Sequence, residues 1–222
     1  MCGRFTLTVD PEDLKEQFEK TTFPEKYAPR FNIAPSQAIL AIANDGKNAA
    51  DFFLWGLIPS WAKEASIGNR MINARGETLG EKPSYRGAYK YKRCLIPADG
   101  FYEWKSQPGT KTKAPYFIHM KDGKPFAFAG LWDEWHGPDG SPIRSCTIIT
   151  TSPNVLMASI HDRMPVILRP QDYGEWLDTA PRAPGSLQHL IAAFPPDPME
   201  AYPVSELVNS PSNDRAECIQ PA

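Results

Sequence analysis

The sequence lacks several features that would place it in a class at once. No apolar run approaches the length of a membrane-spanning helix, and the N-terminus has no apolar signal-peptide segment. The four cysteines lie far apart with no Cys-x-x-Cys pair, and the four histidines are equally scattered. This spacing argues against a zinc site and against a disulfide framework. We therefore expect a soluble, cytoplasmic protein with reduced thiols and without a metal or cofactor.

The chain also lacks an internal repeat, a low-complexity tract, a recognisable linker and a large excess of either charge. We therefore predict one domain over residues 1–222. The net charge is −2, but residues 63–113 carry a balance of +6 and residues 170–222 a balance of −6. Such asymmetry fits a basic face that binds a polyanion, and it fits equally a solvated surface whose charges mix on folding.

Proline, by contrast, is abundant, with 23 residues in 222. Because proline interrupts helices and central strands, we expect many short elements joined by ordered loops. Strand patterns outnumber helix patterns, and short turns join most of them. This arrangement predicts an α+β fold with a mainly antiparallel sheet, curled into a barrel-like or sandwich core with a few flanking helices.

Local signals predict the individual elements. Asp10 followed by Pro11 has the pattern of an N-cap and first helical residue, with Leu14 and Phe18 on one face of the helix. Further helices are predicted over 82–93, 171–177 and 186–193. Strands are predicted over 5–9, 38–43, 51–58, 94–98, 101–104, 116–120, 126–131 and 146–151, with a last strand-like piece before Pro221. The turn sequences 44–47 and 121–124 predict hairpins between their neighbouring strands.

The N-terminal segment Met1-Cys2-Gly3-Arg4-Phe5 offers chemistry that no internal segment can. If Met1 is removed, Cys2 carries a thiol and a free α-amine on adjacent carbons. An aldehyde can condense with the amine to an imine, and the thiol can then close a five-membered thiazolidine. Taken alone, these residues favour the simpler interpretation that Cys2 is a small buried hydrophobe.

Two internal segments carry polar groups suited to binding an oxygen or moving a proton. Asn73 and Arg75 share one face of an extended chain and suit a carbonyl or phosphate oxygen; alternatively, Asn73 supports a turn and Arg75 pairs with Glu77. Glu103 stands among Phe101, Tyr102 and Trp104, where desolvation would favour its neutral acid form. The alternative is a surface glutamate on a half-exposed strand.

A third segment, Ser159 to Pro165, places His161 beside Asp162 and Arg163. A histidine in this setting can transfer protons near neutral pH, or the segment is a salt-bridged loop. Pro35, Trp55 and Trp61 are candidates for exposed contacts, since aromatic side chains interleaved with Lys and Arg suit single-stranded nucleic acid. Core packing is the alternative for each tryptophan.

The order of these segments resembles the SRAP family, the SOS-response-associated peptidase proteins that are also called abasic site processing proteins. The matching segments are Met-Cys-Gly-Arg-Phe at the N-terminus, Phe31-Asn32-Ile33-Ala34-Pro35, Trp55-Gly56-Leu57-Ile58-Pro59, Ile72-Asn73-Ala74-Arg75-Gly76-Glu77-Thr78, Asp99-Gly100-Phe101-Tyr102-Glu103-Trp104 and His161-Asp162-Arg163-Met164-Pro165. The resemblance spans nearly the whole chain. It implies a monomeric sensor of abasic sites in single-stranded DNA, associated with the nucleoid if bacterial, that shields the lesion through a covalent thiazolidine link.

The resemblance also implies roles for single residues. Cys2 would be the double nucleophile after Met1 removal, Asn73 would hold the sugar or the Cys2 region, Glu103 would be the general acid/base of crosslink formation and reversal, and His161 would assist at the sugar oxygen. Arg4, Arg75 and Arg163 would contact phosphates, and Pro35 and Trp61 would support or wedge a DNA bend. The family name implies an enzyme with lyase-like or peptidase-like activity, including Met1 self-cleavage, although removal by an aminopeptidase is an equal alternative.

Two other functions fit the same residues. One is an N-terminal-nucleophile cysteine amidohydrolase, in which Cys2 attacks an amide and its own amine is the base. The other is a DNA-binding module without covalent chemistry.

Overall fold

The computed structural model describes residues 2–107, 109–110 and 112–222, and strands dominate these ranges. The strands are β1 (Phe5–Leu7), β2 (Arg30–Ile33), β3 (Ala38–Ala43), β4 (Ala50–Trp55), β5 (Asn73–Arg75), β6 (Arg93–Ala98), β7 (Gly100–Ser106), β8 (Lys113–Met120), β9 (Phe126–His136), β10 (Pro142–Thr151), β11 (Met164–Pro165), β12 (Ile167–Leu168) and β13 (Met199–Pro203). The α-helices are α1 (Pro11–Gln17), α2 (Arg86–Tyr91), α3 (Val155–Ala158) and α4 (Tyr173–Trp176). Short 3-10 helices cover Ala65–Arg70, Gly76–Thr78, Pro170–Asp172, Gln188–Leu190, Glu206–Asn209 and Ala216–Ile219.

Five of the strands close into a barrel. β3 pairs with β4 and β6, β6 pairs with β9, β9 pairs with β10, and β10 returns to β4. Because an odd number of strands cannot alternate direction around a closed ring, one pair must be parallel, and that pair is β4 and β10. The predicted α+β fold with a mainly antiparallel, barrel-like core is confirmed.

A second, antiparallel sheet has the order β13-β8-β7-β1-β2 and packs against the barrel. Its strand β1 lies between β7 and β2, so the start of the chain is an interior strand of this sheet. Phe5 of β1 meets Trp55 of β4 at 5.2 Å and Phe128 of β9 at 5.8 Å between ring centroids, both edge-on. Each buried aromatic of this kind contributes about 1.5–3 kcal/mol from lost water contact, so β1 is held firmly against the barrel.

The C-terminal half of β10 pairs with two short strands that matter for the site. β5 runs parallel to it and places Asn73 beside Ile148 and Arg75 beside Thr150. β11 pairs antiparallel with the same end of β10, and β12 pairs with β9. Two segments far apart in sequence, 73–75 and 164–165, are thereby brought to one end of a single strand.

The helix predictions are confirmed in part. Asp10 caps α1 by accepting the backbone N–H groups of Glu12 and Asp13, and Leu14 is fully buried beneath this helix. Helix α2 forms within the predicted range 82–93 and buries Ala88 and Tyr89. Helix α4 lies within the predicted range 171–177 and directly follows the 3-10 turn Pro170–Asp172.

Two C-terminal predictions are wrong. The helix over 186–193 reduces to the 3-10 turn Gln188–Leu190, since Pro184, Gly185 and the pair Pro195-Pro196 bound the segment closely. The strand-like piece before Pro221 is the 3-10 turn Ala216–Ile219.

The two hairpin predictions have opposite outcomes. The turn 44–47 joins β3 to β4 in antiparallel register, with Ile42 opposite Ala50, as predicted. The turn at 121–124 forms, with Gly123 at a φ of 70°, but the strands that it joins do not pair. β8 pairs with β7 and β13, and β9 with β6, β10 and β12, so both edges of each strand are occupied by other partners. The turn therefore connects the second sheet to the barrel.

The loop after β1 is fixed by one buried carboxylate. Asp99, at the junction of β6 and β7, accepts hydrogen bonds from the hydroxyl groups of Thr6 and Thr8 and from the backbone N–H groups of Thr8 and Val9. These bonds tie β1 and the two residues after it to the β6–β7 junction. None of the helices described is long and apolar enough to cross a membrane.

We expect Asp99→Asn to lower the free energy of unfolding by about 2–4 kcal/mol, because an amide cannot accept all four bonds and its NH₂ group meets buried donors. Urea denaturation monitored by far-UV circular dichroism measures this loss. The matched control is Asp197→Asn, at an exposed position. Equal unfolding midpoints for the two variants would show that Asp99 does not hold β1.

Candidate active site

Cys2 lies at the mouth of the β1–β7 pairing and is fully buried. The pairing extends toward it, because the Tyr102 N–H donates to the carbonyl oxygen of Arg4 at 3.0 Å. The Cys2 thiol lies 3.9 Å from the same oxygen. Burial raises the pKa of the Cys2 thiol well above its ordinary value, and the nearby Glu103 carboxylate raises it further. The thiol of the folded protein is therefore protonated at neutral pH.

Glu103 is the acidic partner of Cys2. It lies two residues beyond Phe101 on β7, so its side chain shares the face of the strand that packs on the barrel. Only 2% of this side chain is exposed. Burial raises the pKa of Glu103, so the neutral acid persists to a higher pH than in a surface glutamate. This position contradicts the alternative of a surface glutamate.

His161 approaches Glu103 from the loop that follows α3. Its Nε2 lies 3.9 Å from Oε2 of Glu103, an electrostatic contact longer than a hydrogen bond. Its Nδ1 accepts the backbone N–H of Arg163 at 3.1 Å and also lies 2.9 Å from the carboxylate of Asp162. These two contacts require opposite tautomers. We assign the proton to Nε2, facing Glu103, because the backbone donor is fixed while the Asp162 side chain is 88% exposed and can turn away.

Asn73 provides a hydrogen-bond acceptor at the end of β10. Its Nδ2 donates to the carbonyl oxygen of Ile72 at 2.9 Å. The backbone carbonyl oxygen of Asn73 accepts a hydrogen bond from the Tyr85 hydroxyl at 3.1 Å. The side-chain oxygen Oδ1 is buried and has no hydrogen-bond partner among the described residues. A buried acceptor of this kind can accept a hydrogen bond from a hydroxyl or N–H group of a bound ligand. Arg75, two residues on, is exposed.

Arg163 is bound to a carboxylate in this structure. Its guanidinium forms a two-pronged ion pair with Glu77, with Nη2 2.9 Å from Oε2, and Nη2 also donates to the carbonyl oxygen of Thr150 at 2.7 Å. The hydrogen bonds from Arg163 lower the pKa of Glu77. The suggested pairing of Arg75 with Glu77 is thus replaced by a pairing of Glu77 with Arg163.

Arg4 also has protein partners. It donates to Oδ1 of Asn32 at 2.9 Å and to the backbone carbonyls of Val208 at 2.6 Å and Asn209 at 3.3 Å, and it lies 6.0 Å above the Trp104 ring. Arg4 therefore binds the C-terminal segment in this state, whatever it contacts in a complex.

The sequence analysis did not predict the hydrogen-bond partners of Arg4, which are Asn32 and the C-terminal segment around Val208. Asn32 donates to the carbonyls of Val208, Ser210 and Asn213, and Asp214 accepts the backbone N–H groups of Phe31 and Asn32. These partners lie more than 170 residues apart in sequence. No local pattern links them, although Asn32 itself lies within a motif of the resemblance.

The aromatic candidates separate into core and surface residues. Trp55 is fully buried and donates to the carbonyl oxygen of Ile72, so the expectation that it is exposed is wrong. Trp61 is 60% exposed, and Pro35 is partly buried. The loops that carry them are joined by the hydroxyl of Ser36, which lies 3.1 Å from Oδ1 of Asn69.

Cys2, Glu103 and His161 are thus brought together, with Asn73 and Arg163 on either side of the end of β10. All four cysteines are free and buried. Over residues 2–107, 109–110 and 112–222 we find no group of three or more His, Cys, Asp or Glu side chains suited to a metal ion. The geometry provides a buried thiol, a carboxyl group with a raised pKa next to it, and a histidine 3.9 Å from that carboxyl group, a combination suited to proton transfer around a covalent step.

Several known proteins are similar to this chain over most or all of its length. The family described as SOS response associated peptidase (SRAP) matches residues 1–211. The abasic site processing protein YoqW of Bacillus subtilis (strain 168) is 54% identical over 223 residues, covering 99% of each chain. The abasic site processing protein HMCES of Rattus norvegicus is 30% identical over 271 residues, covering 100% of this chain and 76% of that protein. A crystal structure of a Bacteroides thetaiotaomicron protein superposes with a TM-score of 0.85 at 26% identity over the whole of both chains. The chain therefore belongs to the SRAP family.

Proposed function

We propose that this protein processes abasic sites in single-stranded DNA by forming a covalent crosslink through Cys2. The observation that carries the proposal is the burial of Cys2 beside Glu103, a buried acid whose pKa is raised, with His161 at 3.9 Å from that acid. The names of the relatives YoqW and HMCES, both abasic site processing proteins, support the substrate class.

The reaction requires a free α-amine on Cys2, and hence hydrolysis of the Met1–Cys2 bond, by an aminopeptidase or by the site itself. The amine then attacks the aldehyde carbon of the ring-opened deoxyribose and water leaves, giving an imine. The thiol adds to the imine carbon and its proton passes to the nitrogen, closing the thiazolidine. Burial disfavours charge on the amine, which favours the neutral, nucleophilic form.

Glu103 is the proton carrier in these steps. As a neutral acid it donates a proton to the hydroxyl that leaves as water, and the resulting carboxylate regains a proton from the nitrogen as the neutral imine forms. When sulfur attacks, Glu103 relays the thiol proton to the nitrogen. His161, with its Nε2–H directed at Glu103, stabilises the carboxylate while it exists and assists at the sugar ring oxygen. The same sequence run backwards reverses the crosslink.

The remaining polar residues position the DNA. The unpartnered Oδ1 of Asn73 accepts a hydrogen bond from a sugar hydroxyl, and the exposed Arg75 contacts a phosphate next to the lesion. Arg163 reaches a phosphate by exchanging its Glu77 partner, and Arg4 contributes through its position beside the entrance. Trp61 and Pro35 support the strand where it bends, with Trp61 stacking on a base.

We expect Cys2→Ser to abolish the heat-stable crosslink, since serine supplies no thiol to close the ring. Wild-type protein mixed with single-stranded DNA carrying one abasic site should give a shifted band on a denaturing gel. The control Cys218→Ser removes a different buried thiol and should crosslink like the wild type. A wild-type protein that forms no such band would favour the amidohydrolase, and intact mass establishes whether Met1 has been removed.

We expect Glu103→Gln to slow crosslink formation by about 100-fold at neutral pH, the scale of general acid–base catalysis. Because the pKa of Glu103 is raised, the wild-type rate should hold at low pH and decline as pH rises through that raised pKa, as the acid form is lost. The variant should lack this decline. Single-turnover rates across about pH 5–8 measure it, with the exposed Glu64→Gln as control; identical profiles for wild type and Glu103→Gln would remove Glu103 from the mechanism.

We expect Arg75→Ala to weaken binding of undamaged single-stranded DNA and to reduce the slope of log K against log salt by about 0.7, the loss of one phosphate contact. Fluorescence anisotropy at several salt concentrations gives both quantities. Arg169→Ala, also at an exposed position, is the matched control. An unchanged slope in Arg75→Ala would mean that this guanidinium contacts no phosphate.

A further inference from the structure

A pocket of about 590 Å³ lies beside α2, away from Cys2, and has no part in the chemistry above. Its size falls within the range of about 300–1,000 Å³ that is usual for ligand sites. One wall is α2 and the other is the segment 181–184. The lining residues are Gly80, Arg86, Gly87, Tyr89, Lys90, Pro181, Arg182, Ala183 and Pro184.

The lining is cationic. Arg86 and Lys90 lie four residues apart on one face of α2, both are exposed, and Arg182 faces them from the opposite wall. No carboxylate lines the pocket among the residues that the structure describes. Arg182 is paired with Asp178 at 2.6 Å, which leaves the charges of Arg86 and Lys90 as the uncompensated ones of the lining. Such a pocket attracts an anion.

An exposed aromatic ring lies next to these charges. Tyr91 is 50% exposed, and the Lys90 ammonium lies 5.0 Å from its ring centroid. A cation beside an exposed aromatic ring is the combination that binds single-stranded nucleic acid, with the cation on a phosphate and the ring under a base.

The two walls are held together by Arg93, whose side chain is fully buried. Its guanidinium donates to backbone carbonyls on both sides, namely those of Tyr89 at 2.8 Å, Lys90 at 2.9 Å, Trp176 at 2.9 Å, Ala180 at 3.3 Å and Asp178. The Arg182 N–H also donates to the carbonyl of Lys90 at 3.0 Å. At the floor, a methyl group added to Gly80 would lie 2.9 Å from a side-chain carbon of Pro184. The cationic side chains are therefore presented by a preformed frame.

The pocket is joined to the candidate active site through α2. Tyr85, which precedes this helix, donates its hydroxyl to the carbonyl oxygen of Asn73 at 3.1 Å. Arg86 is the next residue and lines the pocket. Gly80 lies three residues beyond Glu77, the partner of Arg163. A strand leaving the active site along the 73–80 segment would thus meet the pocket next.

We propose that this pocket is a second contact site for single-stranded DNA, in which Arg86 and Lys90 bind backbone phosphates outside the lesion and Tyr91, beside the pocket, stacks on a base. The inference rests on the proposed function, since it extends the path of the same DNA strand. It assigns a role to the basic 82–93 segment, which the motifs around Cys2 leave without one.

The test compares undamaged single-stranded oligonucleotides of about 4 and about 16 nucleotides, spanning the range of site sizes of single-strand binding folds. We expect the double variant Arg86→Ala/Lys90→Ala to bind the longer oligonucleotide about 10-fold more weakly. Its salt slope for the longer oligonucleotide should fall by about 1.4, or two phosphate contacts, and its affinity for the shorter one should be unchanged. The control Lys113→Ala/Lys124→Ala removes the same charge from exposed positions on β8 and on the 121–124 turn.

A double variant that binds the longer oligonucleotide with wild-type affinity and salt slope would overturn the inference. Tyr91→Ala is a second variant that removes the ring and no charge, and it should weaken the longer complex without changing the salt slope. Crosslinking of an abasic oligonucleotide by the wild type tests the covalent step separately. If the crosslink forms and the pocket variants bind like the wild type, only the pocket assignment fails; if no crosslink forms and the variants still weaken binding, only the covalent step fails. A wild type that binds no single-stranded DNA overturns both.

Discussion

The pairing of the N-terminal strand β1 with β7 is the constraint on which the candidate site depends. Phe5 packs into the aromatic core of the barrel, so β1 lies in the interior of the protein. Cys2 is buried with it, beside Glu103 of the paired strand. The contacts that stabilise the second sheet against the barrel therefore also place the thiol beside the acid.

Burial gives these two groups their chemical state. In a medium of low dielectric, the charged forms of a thiol and of a carboxylic acid both lose hydration, and the pKa of each rises. The thiol therefore stays protonated in the folded site, and the acid form of Glu103 persists to a higher pH than in a surface glutamate. His161 is partly exposed and links this pair to solvent. Because the thiolate is the nucleophile, a buried and protonated thiol reacts slowly with electrophiles from solvent.

The arginines proposed to contact phosphates are held by protein groups to different degrees. Arg163 forms a bidentate pair with Glu77, whose side chain is 47% exposed while that of Arg163 is 13% exposed. Exchange of Glu77 for a phosphate would replace one charge-assisted pair by another. Arg4 is more firmly placed, because three acceptors from Asn32 and the C-terminal segment surround it. Arg75 has no such arrangement and is exposed.

Local physical chemistry in the sequence determined the elements whose causes are local. The Asp10 cap, the buried face of α2 and the hairpin at 44–47 each depend on residues a few positions apart, and the order of motifs identified the family. Tertiary structure alone decided which strands pair across the 121–124 turn, that Trp55 lies in the core, and that Asn32 receives Arg4. These features depend on which strand edges and buried acceptors remain unoccupied after distant segments have packed. They therefore cannot be predicted from the spacing of residues along the chain.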